Sequence, residues 1–316
     1  MKNWLSAARP RTLPLALASI FMGSFLAASA GVFDLKICLL CCLTTICLQV
    51  LSNFANDYGD TQNGADLAGR VGPMRAVQSG EISPKQMLNA IVLFVVLCLS
   101  FGIWLLYEAF KNASSNHFYG FLGLGVLCII AAYTYTAGKK PYGYAGLGDV
   151  SVLIFFGLVG VLGSYYLYAK DLDFTKILPA LSCGFFATGV LNINNIRDIE
   201  SDTRAGKKTI PARMGREKAI IYHWILLVAG MASAIIYVVL NGNSALNWLF
   251  LLSFPLIILN GIKVSKLPNP DPMLKQLAID IRYRADSLIF SSVYIQTSKV
   301  FKTLGGFLFY LIPPQV

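Results

Sequence analysis

Two short stretches of this chain bring oxygen ligands together at spacings that suit metal and phosphate chemistry. The first, LSNFANDYGDTQNGADLAGRVGPMRAVQSG over residues 51–80, carries Asn56, Asp57, Asp60 and Asp66, followed at once by Arg70 and Arg75. The second, LNINNIRDIESDTRAGKKTIPAR over residues 191–213, carries Asn194, Asp198 and Asp202 ahead of Lys207, Lys208 and Arg213. Carboxylates held close repel one another and resist ionisation unless a cation joins them. A divalent ion removes that conflict. The oxygen-only set suits magnesium, which takes one or two carboxylates, keeps several waters and accepts substrate phosphates as further ligands. Zinc would call for a histidine or cysteine cluster, and neither stretch has one. Guanidinium forks match phosphate oxygens, so Arg70 and Arg75 would face the phosphates that the metal also holds. Topology alone also accounts for arginines at this position.

The elements that position these groups follow from composition. The chain has 316 residues, of which 56% are hydrophobic and only 13% charged, outside the range of soluble domains. Apolar runs of about twenty residues, the length that crosses a bilayer, recur at 13–30, 35–53, 88–110, 118–137, 147–169, 175–193, 218–240 and 245–262. The expected fold is therefore all-α, a polytopic membrane helix bundle with eight complete spans. The first run, preceded by Lys2, Arg9 and Arg11, has the outline of a secretory signal. A second run of similar length follows immediately, so it is read as a membrane helix. The net charge of +10 does not indicate nucleic acid, because it is distributed by side. Lys36, Lys111, Lys170 and Lys176 fall on one side of the bilayer, and every other Lys and Arg up to residue 279 falls on the other. That asymmetry places both acidic stretches at the cytoplasmic face of a multi-pass cell-membrane protein.

The second run passes into the first acidic stretch without a turn signal. Asn53, Asn56, Asp57 and Asp60 are therefore expected on its last helical turns, with Asn63 and Gly64 ending it. Asn194, Asp198 and Asp202 recur every four residues, which predicts one helical face, with Asn195, Arg197 and Glu200 pointing elsewhere. The two stretches share an order of Asn, Asp, Asp, then Gly and a basic residue. This predicts a single domain over residues 1–279 built from two repeats, about 1–140 and 141–279. Facing each other, the two sets would cage two or more magnesium ions and one diphosphate. Lys139 and Lys140, in the Gly- and Tyr-rich turn YTYTAGKKPYGYAGLGD, are candidate diphosphate partners, as are Lys207 after the second acidic stretch and Arg9 in ARPRTLP. The tyrosines of that turn read as interface anchors, as do His223 and Trp224. His117 has no assigned role, and the Cys38–Cys41 pair reads as helix packing.

At these residues the chain resembles the intramembrane aromatic prenyltransferases, the superfamily of 4-hydroxybenzoate polyprenyltransferase. The resemblance runs in the order ARPRT, NDYGDTQNGAD, RVGPMR, YTAGKKPYGYAGLGD and NNIRDIESDTRAGKKT, over about residues 1–279. Five residues between Asp60 and Asp66, and the GPMR that follows, resemble the branch whose acceptor is 1,4-dihydroxy-2-naphthoate. The resemblance implies nine transmembrane helices around a central cavity that opens to membrane lipid. It further implies that Asn56, Asp60, Asp66, Asn194, Asp198 and Asp202 hold magnesium and diphosphate, with Asp57 beside them as a second-layer ligand. The implied reaction joins a polyprenyl diphosphate to the naphthoate ring with loss of carbon dioxide, as in menaquinone synthesis. Residues 280–316 depart from the family. Asp280, Arg282, Arg284, Asp286, Lys299 and Lys302 leave too little uninterrupted apolar length for a normal ninth span, and poor order is expected there.

Three other readings are open on the sequence. A cation-coupled secondary transporter also has repeats and membrane carboxylates, but these more often sit near the bilayer midplane. A membrane phosphatidyltransferase would carry an Asp-Gly and Ala-Arg framework that is absent here. Within the prenyltransferases, 4-hydroxybenzoate or homogentisate are alternative acceptors.

Overall fold

Eight helices long and apolar enough to cross a membrane follow one another along the chain, in register with the apolar runs. The computed structural model describes residues 2–64, 74–242, 244–268 and 277. Asp66, Arg70, the expected ninth span and the whole of 280–316 lie outside the described residues.

A short lead-in helix, α1 (Lys2–Ala8), stops where Arg9 takes left-handed backbone angles, φ 49° and ψ 63°. One 3-10 turn from Pro10 then redirects the chain into α2 (Leu13–Ser29). The remaining helices are α3 (Leu35–Gln62), α4 (Pro84–Phe110), α5 (Ser115–Thr134), α6 (Gly148–Ala169), α7 (Ile177–Arg197), the short α8 (Ile199–Arg204), α9 (Ile210–Asn241) and α10 (Asn247–Lys266). Local chemistry fixes several starts. The Asp34 carboxylate accepts the Ile37 N–H at 3.0 Å, and Ser83 and Gln86 form a reciprocal capping box with Pro84 in the first turn of α4, which satisfies amides that helix starts leave without partners.

Val92, Leu93 and Val96 on α4 and Ile221, Ile225 and Val228 on α9 are exposed. Their three- and four-residue spacing makes apolar stripes that lipid, not water, must cover. Inside, the most extensive helix pairings are α7 with α9 and α3 with α4. Glycine lets α6 and α7 approach closely. A Cβ on Gly157 would come within 2.7 Å of the Ala180 carbonyl oxygen and 3.0 Å of the Gly184 Cα, the small-residue contact typical of membrane helices. Over Leu153–Gly163, α6 winds as a π-helix. The Ser19 hydroxyl of α2 donates to the Phe156 carbonyl at 2.5 Å and braces that wider winding.

Two residues differ from the interface role expected of them. His223 is 1% exposed and lies beside Gly189 of α7, while the Trp224 ring packs on Gly261 and its indole N–H donates to Ser265 at 3.2 Å. The reason is helix length: α9 begins at Ile210, well before the apolar run, so both side chains fall well inside it.

A cavity of about 410 Å³ runs between α2, α3, α4, α5 and α6, with Leu, Ile, Val and Phe interspersed with small and polar residues along its walls. Asn56, Tyr135 and Tyr142 line one end of it, and Phe121 and Leu167 line the other.

Candidate active site

The two acidic stretches meet. α3 continues through Gln62, so Asn53, Asn56, Asp57 and Asp60 all lie on its final turns, and Gly64, with φ 70°, follows its end. Asp60 is 2% exposed and collects three donors from three separate segments. The Arg75 guanidinium reaches Oδ2 at 2.6 Å, the Lys207 ammonium reaches Oδ1 at 3.1 Å, and the Tyr144 hydroxyl donates to Oδ1 at 2.6 Å. Lys207 also stands 4.0 Å from Asp202 Oδ1 and 4.6 Å from the centre of the Tyr144 ring. A single ammonium thus sits between one carboxylate from each half of the chain.

Local structure explains why these groups converge. The two oxygens of Asp57 accept the Ala76 and Val77 amides at 3.2 Å each. Its bonds fold residues 75–77 back over the helix end, which delivers Arg75 to Asp60. Arg75 also donates to the Asn56 carbonyl at 2.6 Å. Asp57→Ala is expected to lower stability by about 1–3 kcal/mol, because two buried amides lose their acceptor. Thermal melting in detergent would report it, and an unchanged Tm would refute the assignment.

On the other side, Gly206 at φ 71° reverses the chain after α8. The Lys207 amide then bonds the Asp202 carbonyl, and the Lys208 amide bonds the Tyr144 carbonyl, both at 2.8 Å. Asp202 is 8% exposed and accepts from the Thr209 hydroxyl at 3.3 Å. Burial pushes its carboxyl up to about 6, against the pull of Lys207 and with a further push from the Asp198 and Asp60 charges.

The single face expected of Asn194, Asp198 and Asp202 is interrupted. α7 ends at Arg197, and Asp198, at φ −96° and ψ 11°, is the junction with α8. Arg197, expected to point elsewhere, folds back instead. Its guanidinium grips both Asp198 oxygens, at 2.7 and 2.5 Å, and donates to Asn194 Oδ1 at 3.2 Å. The reason is that the helical phase shifts at Asp198, which brings the adjacent side chain within reach. Asp198 and Asn194 are thus held by Arg197, while Asp202 turns toward Lys207. Lys139 and Lys140 are exposed on the turn after α5. They make no hydrogen bond or ion pair with either acidic stretch among the described residues. Arg9 is half-buried, and its segment is tied to α3 by Asn53, whose amide donates to the Ala8 carbonyl at 2.8 Å and to Thr12 at 3.0 Å.

Tyr144 is the site residue that sequence reading missed. Tyrosines at membrane boundaries usually anchor, and only its place beside the glycine-rich turn hinted at more. Tyr144→Phe keeps the ring under Lys207 but removes the hydroxyl. An approximately fivefold to tenfold fall in kcat is expected for one lost charge-assisted bond, read by steady-state kinetics, and an unaltered kcat would exclude the role.

The donor set fits a hard divalent cation. Asp60 and Asp202 bring carboxylates from facing segments, and Lys207 bridges the two as a positive charge, while the amide oxygens of Asn56 and Asn194 are taken by Thr136 and Arg197. Among the described residues no three His, Cys, Asp or Glu side chains converge. A pair of carboxylates completed by substrate oxygens is the pattern magnesium accepts.

Fold and site together define an intramembrane prenyltransferase. The chain belongs to the UbiA prenyltransferase family, matched over residues 16–279. It is 48% identical over 284 residues to the 1,4-dihydroxy-2-naphthoate octaprenyltransferase of Haemophilus influenzae, covering 88% of this chain and 92% of that one. The enzyme of the same name from Escherichia coli is 46% identical over 275 residues, with 87% and 88% covered. Among solved structures, the apo UbiA homolog from Aeropyrum pernix K1 superposes with a TM-score of 0.67 at 17% identity, covering 91% of this chain and 98% of that one. The UbiA homolog from Archaeoglobus fulgidus bound to DMAPP and Mg2+ gives 0.62 at 17% identity, with 94% and 99% covered.

Proposed function

We propose that this chain transfers a polyprenyl group from polyprenyl diphosphate to 1,4-dihydroxy-2-naphthoate with loss of carbon dioxide, giving demethylmenaquinol, at the cytoplasmic face of the cell membrane. The observation that carries the reading is the meeting of Asp60 and Asp202 around Lys207, beside the end of an apolar chamber that Asn56 lines. The names of the two bacterial relatives support the choice of acceptor and donor.

Asp60 and Asp202, aided by Asn56 and Asn194, are the residues that would hold magnesium, with Asp66 and Asp198 completing the set. When bound, the ion supplies Lewis-acid stabilisation of the charge that develops on diphosphate. Arg75 and Lys207, which now neutralise Asp60, turn their donors to the departing oxygens. Arg70, Lys139, Lys140 and Arg9 add positive charge around the same head group. Breaking the carbon–oxygen bond leaves the electron pair on diphosphate and an allylic cation in the chamber. The walls exclude water from that cation, and the rings of Tyr135, Phe155 and Phe156, which line the chamber, would stabilise it by cation–π attraction. The naphthoate ring carbon that bears the carboxylate then forms the carbon–carbon bond, and carbon dioxide leaves from that carbon with its bonding pair returned to the ring.

Residues 1–140 and 141–279 act in this reading as two repeats that each contribute one carboxylate segment. The test is direct. Membranes containing the full chain, supplied with dihydroxynaphthoate, a polyprenyl diphosphate and magnesium, should yield the prenylated quinol by mass spectrometry. Failure to form it while another aromatic acceptor is prenylated would reassign the acceptor.

A further inference from the structure

The carboxylate centre accounts for the end of α3 but not for what lies along it inside the membrane. Thr45, Gln49, Ser52 and Asn56 are spaced four, three and four apart, which puts them on one helical face, and all four line the apolar cavity. Polar side chains inside a bilayer are costly and mark function unless they are paired. Elsewhere in the bundle hydroxyls are paired within their own helix: Ser24 donates to the Ile20 carbonyl, Thr44 to Leu40, Ser164 to Gly160 and Ser233 to Ala229. Such back-bonding to the preceding turn is the usual habit of helical Ser and Thr. The Thr45 and Ser52 hydroxyls have no hydrogen-bond partner among the described residues. The Gln49 amide donates to Asn53 Oδ1 at 3.4 Å, which leaves its carbonyl oxygen for the cavity. Across the chamber, the Tyr142 and Ser151 hydroxyls lie 3.0 Å apart and line the same space.

We infer that Gln49 and Ser52 form the subsite for the aromatic acceptor, hydrogen-bonding a ring hydroxyl; the inference rests on the prenyl-transfer reading above. An isoprenoid tail has no use for these groups, whereas a hydroxylated ring has apolar faces and a polar edge. Depth agrees. At 1.5 Å rise per residue, Ser52 lies about 6 Å and Gln49 about 10 Å along the axis from Asn56. The reacting carbon of the donor is joined to the diphosphate, and the ring carbon must approach it to about 3–3.5 Å. A ring seated against Ser52 and Gln49 meets that requirement, while Thr45, a turn deeper, faces the tail.

The test uses the full chain in lipid nanodiscs, with 1,4-dihydroxy-2-naphthoate and with 1-hydroxy-2-naphthoate, which lacks one hydroxyl. Gln49→Leu and Ser52→Ala should each raise the acceptor KM about tenfold, the worth of one hydrogen bond to a buried partner, with the donor KM within about twofold of wild type. Gln49→Leu should also lose about tenfold of the wild-type preference for the dihydroxy ring. Gln49→Met, of matching length, serves if the leucine variant does not assemble. An unshifted acceptor KM in both substitutions, or donor and acceptor KM rising together, would overturn the inference. Absence of turnover in the wild-type protein would overturn the prenyl-transfer reading and this inference with it, whereas full wild-type turnover with unshifted variants overturns this inference alone.

Discussion

Asp60→Asn is expected to cut magnesium-dependent diphosphate release from a polyprenyl diphosphate by about a hundredfold to a thousandfold, the range seen when one preorganised electrostatic partner is lost. The side chain keeps its shape and loses its charge. Arg75 at 2.6 Å and Lys207 at 3.1 Å would then face a neutral amide in a buried site, and a divalent ion would lose one of the two carboxylates that Lys207 bridges. Because breaking a buried pair also costs stability, release should be normalised to the monodisperse fraction of the preparation. Asp198→Ala provides the contrast. Its carboxylate is held by the neighbouring Arg197 rather than by the facing segment, so a smaller loss than that of Asp60→Asn is expected. Diphosphate release from Asp60→Asn within threefold of wild type would remove Asp60 from the reaction centre.

The bundle was legible because membrane helices announce themselves by length: each apolar run became a span. What extends the spans was less visible. α9 starts at Ile210, and this buries His223, which hydropathy alone put near the surface. Within the site, residue types and spacing identified Asp60, Asp202 and Lys207 as candidates but not their partnership, since contact between positions 60 and 207 depends on how the two halves dock. Asp57 was grouped with the ligands by adjacency, and what occupies its two oxygens, the amides of Ala76 and Val77, depends on how residues 75–77 fold back over the helix end, which spacing along the helix does not encode. Arg197 could not be read from a regular period because the helix breaks at Asp198. Tyr144 was hidden by its residue type, which has a more common explanation at a membrane surface. The polar stripe of α3 was present in the second apolar run all along. Its meaning emerges only when the cavity it faces is known.

Gly59→Ala is expected to damage both assembly and catalysis, although it adds one methyl group in a helix, where alanine is intrinsically favoured. A Cβ at this position would lie 2.5 Å from the Thr136 carbonyl carbon and oxygen and 2.6 Å from the Ala137 nitrogen. These are backbone atoms, so no side-chain rotation relieves the overlap. The segment cannot retreat freely either. Thr136 donates to Asn56 Oδ1 at 2.8 Å, and the Asn63 amide bonds the Thr136 carbonyl at 2.9 Å and that of Gly59 at 3.0 Å, clamping the end of α3 to residues 136–138. Overpacking of this kind costs about 1–3 kcal/mol. The displacement would be felt next door, at Asp60, whose bond to Tyr144 depends on the same turn. A 1 Å error in the placement of a reacting group is worth about a hundredfold in rate, so kcat should fall further than the loss of Tm alone would explain. Gly102→Ala is the matched comparison. Its Cβ would meet only Thr44 Cγ2, at 3.9 Å, and both Tm and kcat should stay close to wild type. If Gly59→Ala behaves like Gly102→Ala, the close approach of α3 to the 136–138 backbone does not set the geometry of the reaction centre.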